Sequence, residues 1–366
     1  MVVDSFPAKA HPLGMEIKKV LAVSGIALAA LLVCGLIVAL LVVNAWRTTP
    51  YGKLSWITAL VVKVSNSETS EPKLLAPSEQ RIFVEGNTRR VASAPVAIRE
   101  MKDVSIPLEG REIKARVYRD NDGTDLPVLV YFHGGGWVVC SVDGYDYLAR
   151  LLCKKTRAIV VSVDYRLAPE HPFPAGVEDC YGCTLWVSRN ARSLGGDPGK
   201  LMVCGDSAGG NLAAVVARMA AAKKDPKIAF QVLIYPVLDI SRMDTASYAK
   251  YENGFILTKR EMEYYRVHYL RNPADAANPL VSPLLADVPA DLAPALIVAA
   301  QFDVLHDEGQ AYRDKLKAAG VPVRYEEFQG VLHSFVAMTG LIPQSHRAIE
   351  LIAGEIRGRF PERRGP

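Results

Sequence analysis

The hydrophobic pattern divides the chain into an N-terminal apolar segment and a longer region of alternating elements. Residues 20–43 carry no charge, and 15 of these 24 residues are Leu, Ile or Val. A helix rises about 1.5 Å per residue, so this segment would span the roughly 30 Å hydrocarbon core of a bilayer. The apolar region of a cleavable signal peptide is usually shorter, at about 7 to 15 residues. The pattern therefore predicts one transmembrane helix over about 20–43, within an N-terminal unit of residues 1–45.

The flanks of this segment leave an alternative and favour an orientation. Val43-Asn44-Ala45 weakly resembles a signal-peptidase site, so a cleaved signal peptide is the alternative to a membrane anchor. Three basic residues lie on each side, but Lys18 and Lys19 adjoin the apolar segment directly. This arrangement favours a cytoplasmic N-terminus and places the rest of the chain on the non-cytoplasmic side.

Residues 46–100 are predicted to form a juxtamembrane segment, a linker and the N-terminal part of a cap. The juxtamembrane segment contains Trp and Tyr residues of interfacial character, and residues 54–64 would lie along the membrane surface or form an ordinary cap helix. Residues 65–77 are rich in Ser, Glu and Pro, a composition typical of a linker.

Residues 101–366 show short apolar runs that alternate with helical patterns. The first two runs are joined by a short turn, whereas the later ones are separated by stretches long enough for helical crossovers. This order predicts an α/β fold with a mostly parallel, eight-stranded sheet and helices on both faces. The predicted strands are 104–108, 112–118, 127–133, 157–163, 200–204, 228–235, 294–301 and 321–328.

One connection, residues 238–283, is longer than a crossover requires. It contains a helical pattern that begins near Thr258, and it is rich in aromatic residues. We interpret it as an inserted helical cap that covers the strand ends and lines a pocket, with a surface helical hairpin as the alternative. Its aromatic residues include Tyr248, Tyr251, Phe255, Tyr264, Tyr265 and Tyr269.

Composition narrows the classes of function. The chain has 366 residues, half of them apolar, which is enough for one large α/β domain with an insertion. The net charge of +4 is small for this length and the basic residues are scattered, so the sequence does not indicate a nucleic-acid-binding surface. The six cysteines lack the spacing of a disulfide scaffold. Cys180 and Cys183 form a C-x-x-C inside a helical pattern without a second Cys/His pair, so we predict neither a metal nor a cofactor.

The strongest chemical motif is the single G-x-S-x-G of the chain, at Gly205 to Gly209. It lies between an apolar strand pattern and an alanine-rich helix. The small flanking residues permit the sharp strand-to-helix turn that exposes a nucleophilic serine, here Ser207. The N-terminus of the following helix would favour negative charge at this point.

Two further residues would complete a catalytic triad. His333 lies on the loop after the last predicted strand, and Asp303 comes directly after the strand before it. Asp307 and Glu308 compete for the acid role, but they fall in the first turn of the next helix, where they are explained as partners of its dipole. We therefore predict Ser207 as nucleophile, His333 as base and Asp303 as the acid that orients it, which is the order of α/β-hydrolases.

The third predicted strand runs into a glycine-rich loop, His133-Gly134-Gly135-Gly136-Trp137. Glycines allow the backbone to approach a substrate oxygen closely. Together with the N–H of Ala208, this loop would supply hydrogen-bond donors to a tetrahedral oxyanion. A flexible glycine loop is the alternative.

Four motifs together resemble the hormone-sensitive lipase family, in its GDSAG esterase branch. The similarity runs from about Lys102 to the C-terminus, about 70% of the chain. The chain departs from the family at Ser334, where Gly is usual, and at His306, where Arg is frequent. The motifs are His133-Gly134-Gly135-Gly136-Trp137, Asp164-Tyr165-Arg166-Leu167-Ala168-Pro169-Glu170-His171, Gly205-Asp206-Ser207-Ala208-Gly209-Gly210-Asn211 and Asp303-Val304-Leu305-His306-Asp307-Glu308-Gly309.

The resemblance implies a capped α/β-hydrolase fold, preceded here by one transmembrane helix. It implies hydrolysis of small lipophilic esters with short to medium acyl chains, without metal or cofactor. It also implies an oxyanion hole made by Gly135, Gly136 and Ala208, with Gly134 supporting it. We further expect Asp164 and Arg166 to form an ion pair beneath the loop.

Three other functions stay open. The N-terminal span is similar to the anchor of the arylacetamide deacetylases, so an amidase or deacetylase is the first alternative. A ligand-binding pseudo-hydrolase is the second, although such proteins typically lose the catalytic histidine and His333 is present. An anchored scaffold is the third, and no feature of the sequence favours it.

Overall fold

The computed structural model describes residues 12–67 and 74–361. The centre of the predicted linker, residues 68–73, lies outside the described residues. The helices are α1 Pro12–Arg47, α2 Trp56–Ser67, α3 Pro77–Val91, α4 Asp146–Thr156, α5 Ala175–Asn190, α6 Ala208–Lys223, α7 Ala246–Tyr251, α8 Lys259–Tyr269, α9 His306–Ala318 and α10 Pro343–Arg359. The strands are β1 Thr48–Thr49, β2 Gly52–Lys53, β3 Glu100–Leu108, β4 Arg111–Arg119, β5 Leu126–Phe132, β6 Ile159–Val163, β7 Gly196–Asp206, β8 Phe230–Ile234, β9 Ala295–Phe302 and β10 Val323–Leu332.

Strands β3 to β10 form one eight-stranded sheet in the order β10-β9-β8-β7-β5-β6-β4-β3. The pairs β3/β4 and β4/β6 are antiparallel, and the other five pairs are parallel. The prediction of a mostly parallel sheet is therefore confirmed. Strand β7 begins earlier than the apolar run indicates, because Gly196 pairs with Leu126 ahead of an irregularity in the register.

The central strands explain the continuous apolar runs in the sequence. Every residue of β6 and β8 is buried, and so are all but one of β5. Burial without alternation requires helices over both faces of a sheet. Helix α4 packs against α10, and α5 packs against α6. Helix α6 is buried along its first ten residues, 208–217, which its composition of mainly Ala, Gly and Val permits.

The strand order also fixes where a ligand can bind. Strand β5 has β6 on one side and β7 on the other, so the connections after β5 and β7 diverge. In open α/β sheets such a switch point leaves a crevice at the carboxyl ends of the strands. The glycine-rich loop follows β5 and Ser207 follows β7, so both predicted elements lie at this crevice.

Helices α7 and α8 lie in the connection that was interpreted as a cap. Thr258 is the N-cap of α8, and its hydroxyl and the Glu261 carboxylate form a capping box. The end of α8 packs on the main domain, since Tyr269 stacks on Trp137 with ring centroids 4.3 Å apart. The backbone N–H of Phe173 also donates to the Tyr269 carbonyl at 2.9 Å.

The N-terminal helix α1 stands apart from the core. From Glu16 to Arg47 it is long and apolar enough to cross a membrane by length and composition, and its most apolar window is not buried in the domain. A signal sequence near an N-terminus has the same properties. Cys34 on this helix is exposed, whereas the other five cysteines are buried in the domain.

The predicted ion pair between Asp164 and Arg166 is wrong. The Arg166 guanidinium instead binds the Asp179 carboxylate of α5, with Nε at 2.8 Å and Nη2 at 2.9 Å from its two oxygens. Arg111 Nε contacts the same carboxylate at 2.8 Å. Asp179 is fully buried, and a buried charge is costly unless it is paired. Because the buried Asp179 carboxylate needs cationic partners, the Arg166 side chain is directed toward it and not toward Asp164.

Candidate active site

Ser207 lies on a strained turn between β7 and α6. Its backbone has φ 55° and ψ −120°, a conformation that L-residues rarely adopt. A Cβ atom at Gly205 would collide with the Gly209 carbonyl, and one at Gly209 would collide with the Phe132 carbonyl. The two glycines of the G-x-S-x-G motif are therefore required by backbone packing, and together they present the serine hydroxyl at the end of the sheet.

The structure brings the three predicted triad side chains together. His333 Nε2 lies 2.9 Å from Ser207 Oγ, and His333 Nδ1 lies 2.7 Å from Asp303 Oδ2. Ser207 is 9% exposed, His333 3% and Asp303 2%. The three residues follow β7, β10 and β9, whose carboxyl ends share one edge of the sheet. The arrangement is a hydrogen-bonded chain that can move a proton from the serine.

Only one of the three competing acids contacts His333. The second oxygen of Asp303 accepts the N–H of Leu305 at 2.9 Å, which fixes the carboxylate in the loop. Asp307 instead accepts the N–H of Ser247 at 2.8 Å. Glu308 is buried, and its Oε2 accepts the N–H of Leu238 at 2.6 Å and that of Asp239 at 2.9 Å. Burial raises the pKa of Glu308, although those two hydrogen bonds oppose the shift.

The glycine-rich loop turns beside the serine with unusual backbone angles. Gly135 has φ 115° and Gly136 has φ 58°, and a side chain at either position would collide with Val139 or Tyr265. In the described part of the chain, no acceptor takes the N–H of Gly135 or Gly136. Ala208, the first residue of α6, is buried beside Ser207. These groups are available as donors to an anion at the serine.

Gly134 differs from the other two glycines, because its N–H already donates to Asp206 Oδ1 at 2.9 Å. Asp206 is buried, and it also accepts hydroxyl protons from Tyr131 at 2.6 Å and Tyr145 at 3.1 Å. Burial raises the pKa of the Asp206 carboxyl, while its hydrogen bonds oppose that shift. Asp206 therefore ties the glycine-rich loop to the serine turn. The residues predicted for the site did not include Asp206, although an acid next to the proposed nucleophile in an apolar strand pattern is a signal for such a role.

His133 supports the same loop from below. Its Nδ1 lies 2.8 Å from the Gly134 carbonyl, and its ring stacks on Tyr165 with centroids 4.5 Å apart. The Tyr165 hydroxyl donates to the His133 carbonyl at 2.8 Å. Complete burial lowers the pKa of His133 to about 4, so the imidazole is neutral. Its Nδ1–H donates a hydrogen bond to the Gly134 carbonyl.

Helix α8, in the connection interpreted as a cap, packs on the glycine-rich loop. The Tyr265 ring of α8 lies directly over the Cα of Gly136, where a side chain would otherwise project. Burial raises the pKa of Tyr265, so its hydroxyl stays protonated. Glu261 lies one turn earlier on α8, and burial raises the pKa of its carboxyl as well. Helix α8 thus presents the aromatic ring of Tyr265 to the glycine-rich loop.

The chain matches a family model and several known proteins. A family model described as an alpha/beta hydrolase fold, Abhydrolase_3, matches residues 129–337. Carboxylic ester hydrolase LipN of Mycobacterium tuberculosis is 44% identical over 65% of this chain and 64% of its own length. The chain thus spans slightly less than two thirds of that relative. Carboxylesterase NlhH of the same species is 39% identical over 65% of this chain and 75% of its own.

Similarity to solved esterase structures covers a larger part of the chain. An esterase from Pyrobaculum calidifontis matches with a TM-score of 0.78 and 40% identity, and the match covers 83% of this chain and 98% of that one. A thermostable carboxylesterase from a metagenomic library, EstE1, matches with a TM-score of 0.76 and 40% identity over 79% of this chain and 99% of its own.

Proposed function

The chain belongs to the Abhydrolase_3 family of α/β-hydrolases, and from that membership we infer that it is a carboxylic ester hydrolase. We propose that it cleaves small lipophilic esters with short to medium acyl chains through an acyl-enzyme intermediate. The observation that carries this proposal is the continuous hydrogen-bonded chain from Ser207 through His333 to Asp303. The first two of these groups are the nucleophile and base that acyl transfer requires.

In the first half of the proposed reaction, Ser207 Oγ attacks the ester carbonyl carbon. His333 Nε2, 2.9 Å away, accepts the serine proton and then donates it to the departing alkoxide. Asp303 holds the Nδ1 proton of His333, so that Nε2 presents its lone pair to the serine. In the second half a water molecule attacks the acyl-enzyme in the same way, and the acid product leaves.

The negative charge that forms on the carbonyl oxygen needs donors that are already in place. We assign this role to the N–H groups of Gly135, Gly136 and Ala208, with Gly134 holding the loop through Asp206. Loss of one such donor typically lowers turnover about 100- to 1000-fold. The N-terminus of α6 adds a favourable dipole at the same place.

The cap supports the proposed preference for shorter acyl chains. Tyr265 of α8 lies over Gly136, and Tyr269 of the same helix stacks on Trp137, so aromatic rings of α8 pack against the glycine-rich loop. Aromatic walls also favour apolar substrates. Acetyl esters and lipophilic amides, which the similarity to arylacetamide deacetylases suggests, fit the same chemistry. Of these two, only the amides need protonation of a poorer leaving group, the amine nitrogen.

We also propose that α1 anchors the enzyme in a membrane, with the hydrolase domain on the non-cytoplasmic side. The length and composition of α1 support an anchor, and Lys18 and Lys19 before the apolar segment support the orientation. N-terminal sequencing of the purified protein distinguishes this anchor from a signal peptide, because cleavage would remove α1. A mature N-terminus near residue 46 would overturn the anchor.

The enzymatic proposal is tested with nitrophenyl esters from acetate to palmitate, and with the matching anilides. We expect turnover to be highest for short to medium chains and esters to react faster than anilides. Ser207→Ala should leave the fold intact, as judged by circular dichroism, and lower kcat by about 10⁴ to 10⁶-fold. A maximum at palmitate would contradict the proposed pocket, and a Ser207→Ala variant with near-normal turnover would contradict the proposed nucleophile.

A further inference from the structure

Residues 46–64, at the junction between α1 and the hydrolase domain, form a segment with two distinct faces. Its inner face is part of the core, because Leu54, Thr58 and Ala59 are almost completely buried. Its outer face is apolar and open, with side chains between 38% and 63% exposed. We call this outer surface the juxtamembrane face. It comprises Trp46, Tyr51, Trp56, Leu60 and Val64.

The inner side of this segment contacts the strands that carry two triad residues. The N–H of Ser55 donates to the Gly330 carbonyl on β10 at 2.8 Å. The N–H of Gly330 donates in turn to the Gln301 side chain on β9 at 2.8 Å. Gln301 and Gly330 lie two and three residues before Asp303 and His333. The segment is therefore hydrogen-bonded to the two strands that lead to Asp303 and His333.

The membrane helix is joined to this segment without a flexible linker. Helix α1 ends at Arg47, and strand β1 begins at the next residue. Arg47 Nε donates to the Leu54 carbonyl at 2.8 Å, and the Arg47 guanidinium lies 4.2 Å over the Trp56 ring. These contacts fix the end of α1 to the domain. If α1 crosses a bilayer, the juxtamembrane face must lie at the lipid surface.

The charges around the juxtamembrane face match an anionic lipid surface. Between residues 46 and 64 the chain carries Arg47, Lys53 and Lys63 and no acidic residue. The Lys63 ammonium lies 5.8 Å over the Trp46 ring. Tryptophan and tyrosine prefer the interfacial zone of a bilayer, and each basic residue near an anionic surface adds about 1 kcal/mol of attraction.

An aromatic path leads from this face toward the triad. A groove of about 440 Å³ opens between the segment and the loop after α7, and Trp46, Leu54 and Phe255 are among its lining residues. Tyr51 packs edge-on against Tyr251 at 5.6 Å, and Phe255 stacks on Phe302 at 5.4 Å. Phe302 immediately precedes Asp303. A cluster of packed aromatic side chains thus runs from the juxtamembrane face to the residue before Asp303, and Phe302 at its inner end is fully buried.

We propose that the juxtamembrane face docks on the lipid bilayer and that the enzyme takes lipophilic esters from the membrane rather than from water. The partner is the bilayer surface itself, with anionic headgroups around the basic residues. The substrate part of this proposal rests on the ester hydrolase activity proposed above, whereas the docking part does not.

Docking is measured with the full-length protein in vesicles of phosphatidylcholine and phosphatidylserine. In a Cys34→Ser background, an environment-sensitive fluorophore is attached at Leu60→Cys or, as the matched control, at Met101→Cys. Leu60 is 41% exposed and Met101 44%, but Met101 lies on β3, the opposite edge strand of the sheet from β10. We expect nitroxide-labelled lipid to quench the probe at position 60 and not the probe at 101. Equal quenching at both positions, or none at 60, would overturn docking.

Substrate delivery is measured with Leu60→Glu and Met101→Glu, which introduce the same charge at the two matched positions. Hydrolysis of an ester dissolved in the vesicles should fall about tenfold in Leu60→Glu, because a carboxylate is repelled from an anionic interface. Hydrolysis of nitrophenyl acetate in water should be unchanged in both variants. Equal losses on the vesicle ester would overturn delivery, whereas failure of the wild type on both esters would overturn the enzymatic proposal instead.

Discussion

At the scale of single residues, Asp303 sets the protonation pattern of the proposed base. One of its oxygens accepts the Leu305 N–H and the other faces His333 Nδ1. In Asp303→Asn the amide oxygen can keep the bond to Leu305, which turns the NH₂ group toward Nδ1. The imidazole proton then moves to Nε2, and the base can no longer accept the proton of Ser207.

We therefore expect Asp303→Asn to lower kcat by about 10⁴-fold. Asp307→Asn is the matched control, since Asp307 contacts Ser247 rather than His333, and it should cost little. The measurement is kcat on a short nitrophenyl ester for both variants. Equal losses of kcat in the two variants would contradict the assignment of Asp303 rather than Asp307 as the acid that orients His333.

His133 gives a second residue-scale prediction, about stability and pH. Burial lowers its folded-state pKa to about 4 from an ordinary 6.5. The unfolded chain therefore takes up a proton at this residue between those values while the folded chain does not. The neutral His133 side chain therefore contributes fully to the stability of the folded state above pH 6.5, and this contribution is lost as the pH falls toward 4. The difference between the two pKa values corresponds to about 3 kcal/mol.

The expected outcome is a melting temperature that falls less steeply below pH 6.5 in His133→Asn than in the wild type. Differential scanning calorimetry across this range measures the difference. His171→Asn, at an exposed histidine, should retain the wild-type slope. An unchanged slope in His133→Asn would show that the loop histidine does not carry the effect.

The sequence points more directly to the three candidate triad residues than to the residues that hold them. Ser207, Asp303 and His333 occupy loops directly after strands, and their order along the chain restricts the possible chemistry. Asp206 was missed because its partners, Tyr131 and Tyr145, lie more than sixty residues away in the chain. Hydrogen bonds over such separations depend on packing that a local pattern does not contain.

At the scale of elements, His306 joins the start of α9 to β10. Its Nε2 lies 3.0 Å from Glu327 Oε2 and its Nδ1 lies 3.2 Å from Asp307 Oδ1. Burial lowers the pKa of His306, but the two carboxylates outweigh it and the net shift is upward. Since the folded state binds this proton more tightly, its stabilisation is full below the ordinary value of 6.5 and is lost as the pH rises through the folded-state pKa.

We expect His306→Arg to remain paired at all these pH values, because guanidinium does not lose its proton. The melting temperature of the wild type should fall as the pH rises above 6.5, and that of His306→Arg should fall less. His306→Gln, which cannot carry the charge, should be less stable near pH 6 and should also show a flatter profile. If all three proteins gave parallel profiles, the ion pairs between α9 and β10 would not contribute to stability.

The elements themselves were largely predictable, because the strands of a doubly covered sheet are short apolar runs and the crossovers between them are long. The ion-pair partner of Arg166 was not predictable from the sequence. Its partner Asp179 lies on α5, and the sequence does not show that this acid is buried and needs cations. Residues 54–64 fitted both a membrane-surface helix and a cap helix, since apolar residues on two faces are consistent with either.

At the scale of the whole molecule, the proposed anchor ends before the first residue that contacts the sheet. All contacts described above between the N-terminal region and the sheet begin after residue 45. Deletion of residues 1–45 should yield a protein that is extracted by alkaline carbonate yet keeps kcat on nitrophenyl acetate within a few-fold. Membrane fractionation and turnover are the two measurements.

Deletion of residues 1–67 is the informative comparison. It removes the Ser55–Gly330 hydrogen bond and the buried Leu54, whose burial alone is worth about 1.5 to 3 kcal/mol. This protein should melt at a lower temperature and lose turnover because β9 and β10 carry Asp303 and His333. Equal stability of the two truncated proteins would show that residues 46–67 are dispensable to the domain.

The burial of the cysteines described for the fold has a consequence for where such a protein can work. Oxidants and alkylating reagents attack the thiolate, and burial raises the pKa of Cys140, Cys153, Cys180, Cys183 and Cys204. These thiols therefore stay protonated and out of reach near neutral pH. Since all six cysteines are free, the domain needs no disulfide to hold its fold. Its covalent structure is the same in a reducing and in an oxidising compartment, whichever side of a membrane it is delivered to.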